Sequence, residues 1–142
     1  MILYLDTSSL VKLYVAEAHS ALVRNWAEEA EIIATCRVAY PETVSALNRR
    51  MRSGDVRRQD YELLLKTFAG EWPHFAVIDF DELAAGRLAA TYGLRGFDAV
   101  HLSAAMLLKA SQAAIAVAFS SFDEKLNTAA AAEKLKVLSS KK

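Results

Sequence analysis

Ile2-Leu3-Tyr4-Leu5-Asp6-Thr7-Ser8-Ser9 decides the fold: four apolar residues run straight into a carboxylate and then into three small hydroxyl residues. A continuous apolar run closed by turn or cap residues reads as a strand buried on both faces. Asp6 then sits where that strand stops. In an open parallel sheet, ligands bind in the crevice beyond the carboxyl ends of the strands. The segments that follow bring further groups toward the same edge.

After this first strand, Ser8 or Ser9 is the expected N-cap of a helix through Leu10, Val11, Leu13 and Tyr14, and a second helical segment starts near His19. Ile32–Thr35 is the next apolar run, a second strand. Pro41 suits the first turn of the following helix, where its missing N–H costs nothing, and Val44, Leu47 and Met51 give that helix its apolar stripe up to Gly54. From Gln59 to Trp72 the spacing of Tyr61, Leu64, Leu65, Phe68 and Trp72 is helical, and Pro73 ends it. These two helices form a hairpin, with Arg49, Arg50, Arg52, Arg57 and Arg58 around its turn.

Phe75–Ile78 reads as a third strand, with Asp79 or Asp81 capping a helix that ends at Gly93. Gly96 precedes another helix, with Ala99, Leu102, Ser103 and Met106 on its buried face. Ala113–Phe119 reads as a central strand, Phe122, Leu126 and Ala129 mark a last helix, and Lys136–Leu138 is a short edge strand before a frayed tail at Ser139–Lys142. Strands alternate with helices throughout, so the fold class is α/β with a mainly parallel sheet.

The 142 residues are 54% hydrophobic and 24% charged, which suits one domain over residues 1–142 and excludes a disordered chain. The formal net charge is zero, so any basic footprint for nucleic acid must be local. The one cysteine, Cys36, forms no internal disulfide and fits a reducing compartment as a small buried hydrophobe. Asp6 and Lys12 interrupt the apolar N-terminus, against a signal peptide, and no window reaches the ~20 apolar residues of a membrane span. A soluble, cytoplasmic protein is expected.

Four carboxylates share a placement. Asp6 and Asp123 follow strands, and Glu42 and Asp98 lie in the first turns of helices. In a parallel sheet those positions fall on one edge. Carboxylates brought that close repel and raise one another's pKa, and a hard divalent cation resolves the conflict. The lack of a His/Cys cluster argues against zinc and for Mg²⁺ or Mn²⁺. One or two such ions activate water and stabilise the leaving oxygen of an in-line phosphodiester attack.

Tyr4-Leu5-Asp6-Thr7-Ser8, Pro41-Glu42-Thr43-Val44-Ser45-Ala46-Leu47, Gly96-Phe97-Asp98-Ala99-Val100-His101-Leu102 and Phe119-Ser120-Ser121-Phe122-Asp123, in this order and spacing, resemble the PIN-domain family, and within it the VapC-type toxins of toxin–antitoxin pairs. The resemblance spans essentially the whole chain. It implies a five-stranded parallel sheet in the order 3-2-1-4-5, flanked by helices in three layers. It also implies a Mg²⁺- or Mn²⁺-dependent endoribonuclease. By that resemblance Asp6 and Asp98 are the principal metal ligands, Glu42 is the acid after the second strand, and Asp123 binds an ion directly or through water. Ser121 takes a position where the family usually has Thr or Ser, orienting a carboxylate or a water. The resemblance further implies an RNA substrate such as tRNA or rRNA, a cognate antitoxin protein and a homodimer.

Two rival readings compete with this one. A binding module that keeps the fold but acts through its antitoxin is opposed by the intact set of four acids. A haloacid-dehalogenase-type phosphatase needs D-x-D-x-[TV], and Ser8 stands where its second Asp belongs. His101 lies one helical turn beyond Asp98 and reads as a hydrogen-bonded structural histidine, with contact to a carboxylate or substrate as the functional alternative. Arg49 to Arg58 read either as a phosphate-contacting patch or as a solvated hairpin. Tyr61, Phe68 and Trp72 read as core or interface before base-stacking platforms.

Overall fold

The computed structural model describes residues 1–140. The tail expected at Ser139–Lys142 therefore falls partly outside the described residues, at Lys141 and Lys142. The opening apolar run forms β1 (Ile2–Leu5). It pairs in parallel with β2 (Ile32–Cys36) on one side and β4 (Val117–Ser120) on the other. β3 (Ala76–Ile78) and β5 (Lys136–Leu138) close the edges, so the parallel sheet runs β3-β2-β1-β4-β5. That is the strand order the resemblance implies.

Alternation along β1 sorts the two cores. Ile2 and Tyr4 face a cluster built with Cys36, Phe119 and the helices α5 (Glu82–Tyr92), α6 (Gly96–Ser111) and α7 (Glu124–Ala132). Leu3 and Leu5 face the opposite cluster, with Leu10 of α1 (Thr7–Leu10), Val23 of α2 (Ser20–Glu29), Ala39 of α3 (Ala39–Arg52) and Phe68 of α4 (Arg58–Glu71). Leu3, Tyr4 and Leu5 are fully buried, each burial contributing roughly 1.5–3 kcal/mol. A strand covered on both sides by helices cannot shift register by one residue without exchanging its two cores.

Several boundaries differ from the sequence reading. The first helix is capped by Asp6 itself, whose side chain accepts from the backbone N–H of Ser9, and not by Ser8 or Ser9. α3 starts at Ala39, so Pro41 is its third residue, still within the turn whose N–H groups lack intrahelical acceptors. Gly96 is the first residue of α6, not its prelude. The strand expected over Ala113–Phe119 is shorter: it begins at Val117, the residue that meets Ile2 in the sheet, and Ala113 to Ala116 form an exposed turn between α6 and β4. The run is apolar, three alanines and Ile115, yet it lies exposed at a turn. Asp81, not Asp79, caps α5, accepting from Leu83 and Ala84, and Gly93 ends that helix in the left-handed conformation at φ 64°. No helix among the described residues is long and apolar enough to cross a membrane.

Candidate active site

The parallel sheet delivers β1 and β4 to the same edge, and the helices that follow strands begin there. Asp6 leaves β1, Glu42 lies in the first turn of α3, Asp98 in the first turn of α6, and Asp123 caps α7. All four line one cleft of about 630 Å³. Ser121 does not line it. Its buried hydroxyl hydrogen-bonds Asp6 and accepts the backbone N–H of Asp123 at 3.0 Å, so it ties two of the acids together from behind.

Asp6 is only 3% exposed. It accepts the Ser8 hydroxyl at 2.7 Å and the Ser9 N–H at 3.0 Å. Burial pushes its carboxyl above the usual carboxylate range, against the opposing pull of His101, Ser121, Ser8 and Ser9. No cation is paired with it among the described residues. Ser8 is itself fixed, since its oxygen accepts the Phe122 N–H at 3.0 Å.

Glu42 is held differently. One oxygen, Oε1, accepts the Thr7 hydroxyl at 2.6 Å and His101 Nε2 at 2.9 Å. A carboxylate only accepts, so Nε2 carries a hydrogen, and the ring's other nitrogen meets the Tyr4 hydroxyl at 2.8 Å. Tyr4 also stacks on Phe119 with ring centroids 5.6 Å apart, which locks the far end of this chain into the core. Burial pushes the Glu42 carboxyl up, but the bonds from His101 and Thr7, with the charges of His101 and Arg95, outweigh it and hold it below the usual range. The second oxygen, Oε2, has no hydrogen bond among the described residues.

Asp98 and Asp123 lie nearer solvent and share one cation. Arg95, at the N-cap position of α6, reaches Asp98 at 3.0 Å through Nε and Asp123 at 3.3 Å through a terminal nitrogen. Asp123 also accepts the Leu126 N–H at 2.9 Å. Across the cleft stand Lys12, Glu17, Arg49 and Arg50. Lys12 is buried, bonded to Glu17 at 2.8 Å and lying 4.4 Å from the centre of the Phe122 ring, and Arg50 pairs with the same Glu17.

The donor set fits a hard divalent ion: carboxylate oxygens in one cleft, one of them buried without a counter-ion, and a guanidinium standing in as cation between two others. Among the described residues, no three Asp, Glu, His or Cys side chains stand close enough together to hold an ion as they lie. The Arg95 bridge occupies the open side of the group.

The family model described as PIN domain matches residues 3–132. The chain belongs to the PIN-domain family. Ribonuclease VapC45 of Mycobacterium tuberculosis is 30% identical over 132 residues, covering 91% of this chain and 89% of that relative. Among solved structures, FitAcB from Neisseria gonorrhoeae superposes with a TM-score of 0.70 at 16% identity, over 98% of this chain and 97% of that one. Mycobacterium tuberculosis VapC20, a sarcin-ricin loop cleaving toxin, gives 0.61 at 16% identity, over 89% and 94%. At those identities the two structures support the fold of the PIN domain alone.

Sequence reading of this PIN domain missed Arg95 and Tyr4 as site residues. Arg95 had a signal: a base three residues before Asp98, at a helix start. Tyr4 had one too, since a buried phenol needs a partner for its hydroxyl. The arginine cluster divides: Arg49 and Arg50 line the cleft, while Arg52, Arg57 and Arg58 turn to Asn48, Asp60 and Glu62. Phe68 is fully buried, and Tyr61 and Trp72 pack against the cores, as the core reading expected.

Proposed function

We propose that this PIN domain, with residues 1–142 as one unit, is a Mg²⁺- or Mn²⁺-dependent endoribonuclease and the toxin of a type II toxin–antitoxin pair in the cytoplasm. The observation that carries the reading is the meeting of Asp6, Glu42, Asp98 and Asp123 in one cleft at the carboxyl edge of the sheet, with Asp6 buried among neutral donors. The relative named a ribonuclease supports it.

In this reading Asp6 and Asp98 would hold the ion, joined by Glu42 and by Asp123 directly or through water. When bound, a hard divalent ion supplies a water of lowered pKa and offsets charge on the leaving oxygen. The chain's own groups set the rest. Ser8, Ser9 and Ser121 aim Asp6 and keep it from rotating. His101 and Thr7 keep Glu42 ionised and leave Oε2 to orient the attacking water. Arg95, paired with both Asp98 and Asp123, would have to give up those pairs for the two acids to hold the ion. Products carry 5′-phosphate and 3′-hydroxyl ends. A small antitoxin protein covers the cleft, and the working form is a homodimer acting on structured RNA, tRNA or rRNA.

The test is cleavage of total RNA by purified, antitoxin-free protein with Mg²⁺, Mn²⁺ or EDTA, beside the Asp6→Asn variant. Discrete, metal-dependent fragments absent from the variant are expected. Folded wild-type protein that cuts nothing under any ion would return the chain to the rival reading, a binding module that acts through its antitoxin.

A further inference from the structure

A phenyl ring left in water forgoes the burial that holds the other aromatic side chains in place. Phe97 is 60% exposed, and it is the one aromatic among the exposed large hydrophobic residues described. It joins none of the ring contacts that knit Tyr4, Tyr40, Phe68, Trp72 and Phe119 into the cores. Its position is fixed by the start of α6, one residue before Asp98. The ring therefore stands at the rim of the acidic cleft on a rigid helical turn.

Beside it lies a second pocket of about 440 Å³, walled by Phe97, Pro41 and Val38, with Arg49 at its side. Thr7, Glu42 and Arg49 line both this pocket and the acidic cleft, so the two are continuous. Arg49 hydrogen-bonds the Ser45 hydroxyl at 3.0 Å and has no carboxylate partner among the described residues. A flat aromatic face, a proline wall and an uncommitted guanidinium suit a planar ring joined to an anion. In a polynucleotide that unit recurs at every residue, as a base and its phosphate.

We propose that Phe97, Pro41 and Arg49 form a nucleotide subsite next to the scissile phosphate, with the base stacked on Phe97 and the adjoining phosphate on Arg49. The inference rests on the ribonuclease reading above. Stacking accepts any base, but its strength depends on the base, so Phe97 sets a preference at one position beside the cut.

The test uses the full-length protein and a short RNA spanning a cut site mapped with the wild type, with 2-aminopurine at the base on either side in turn. Phe97→Ala should raise KM roughly 5- to 100-fold, the range for losing one stacked base. Phe97→Trp should restore it, whereas Phe97→Leu, apolar but without a π face, should not. Fluorescence of 2-aminopurine at one of the two positions should be quenched on binding to the wild type and to Phe97→Trp, and not to Phe97→Leu. Arg49→Ala should raise KM and flatten its salt dependence by about one phosphate contact. The ring is exposed, so thermal midpoints of all these variants should match the wild type.

A Leu variant with wild-type KM, or a probe unaffected by binding at either position, overturns the subsite. So does a Phe97→Ala variant whose KM is unchanged while its mass in sedimentation shifts, which would make Phe97 a protein contact. Wild-type protein that cleaves no RNA brings down the nuclease reading and the subsite together. Normal cleavage that is indifferent to Phe97 brings down the subsite alone.

Discussion

Asp6 and Glu42 share a cleft with Asp98 and Asp123, yet the two pairs are held in different ways. The inner pair is built from the sheet side. Its partners are Ser8, Ser9, Ser121, Thr7 and His101, and the last is anchored on Tyr4 inside the core. The outer pair is held from the solvent side by one side chain, Arg95, whose own exposure is 81%. Geometry is therefore fixed on the inside, where His101 is tied to Tyr4 of β1, Ser8 to Phe122 and Ser9 to Ser120. Charge compensation is supplied on the outside by a group free to leave. A site arranged this way keeps two carboxylates aimed while the other two are neutralised by an exposed side chain.

The largest effect is expected at Asp6. Asp6→Asn should lower RNA cleavage on the order of a thousandfold, the scale for losing a group that stabilises charge in the transition state. The fold should survive, since Asn also caps helices well. Because burial raises the Asp6 carboxyl, ionising it costs the folded state. That stability is fully present below the ordinary Asp range and is lost as pH rises through the raised value. In metal-free buffer the variant should therefore melt above the wild type at neutral pH, and the gap should close on acidification. Equal melting at both pH values would mean that Asp6 is not the strained member.

His101 sharpens the inner half. His101→Ala should weaken Mn²⁺ binding about 10- to 100-fold, as removal of outer support for a ligating group does. It should also cost roughly 2–4 kcal/mol of stability, from the cavity and the stranded Tyr4 hydroxyl. Tyr4→Phe, which leaves the imidazole in place, should cost about 1 kcal/mol and shift Mn²⁺ binding far less. Calorimetric titration and denaturant unfolding read both effects. Unchanged Mn²⁺ affinity in His101→Ala would mean that Glu42 needs no such support.

What the sequence made legible follows the same division. β1 and the four acids stood out because a strand buried on both faces leaves an unbroken apolar run, and because each acid sits at an element boundary. The sheet order came with the resemblance of four motifs in register. The Tyr4–His101 bond joins residues 97 positions apart, and no local pattern encodes it. The exposed turn at Ala113–Ala116 looked like strand because composition cannot tell an apolar turn residue such as Ile115 from a buried one. Arg49 to Arg58 looked like one patch because helical phase decides which arginines face the cleft and which face Asp60 or Glu62.

The smallest expected effect tests the outer half. Arg95 holds Asp98 and Asp123 with two ion pairs at 3.0 and 3.3 Å, so on the proposed reading an incoming cation would have to displace it. Exposed pairs of this kind add little to folding, so Arg95→Ala should leave the thermal midpoint of the metal-free protein unchanged. Mn²⁺ should then bind about two- to fivefold tighter at low salt, and the gain should fade as ionic strength rises and screens the competing charge. Arg95→Lys should fall between the two, because a single ammonium lacks the fork that spans both carboxylates. Weaker Mn²⁺ binding in Arg95→Ala would reverse the picture: the guanidinium would then gather Asp98 and Asp123 for the ion instead of competing with it, and the outer half would be as preorganised as the inner.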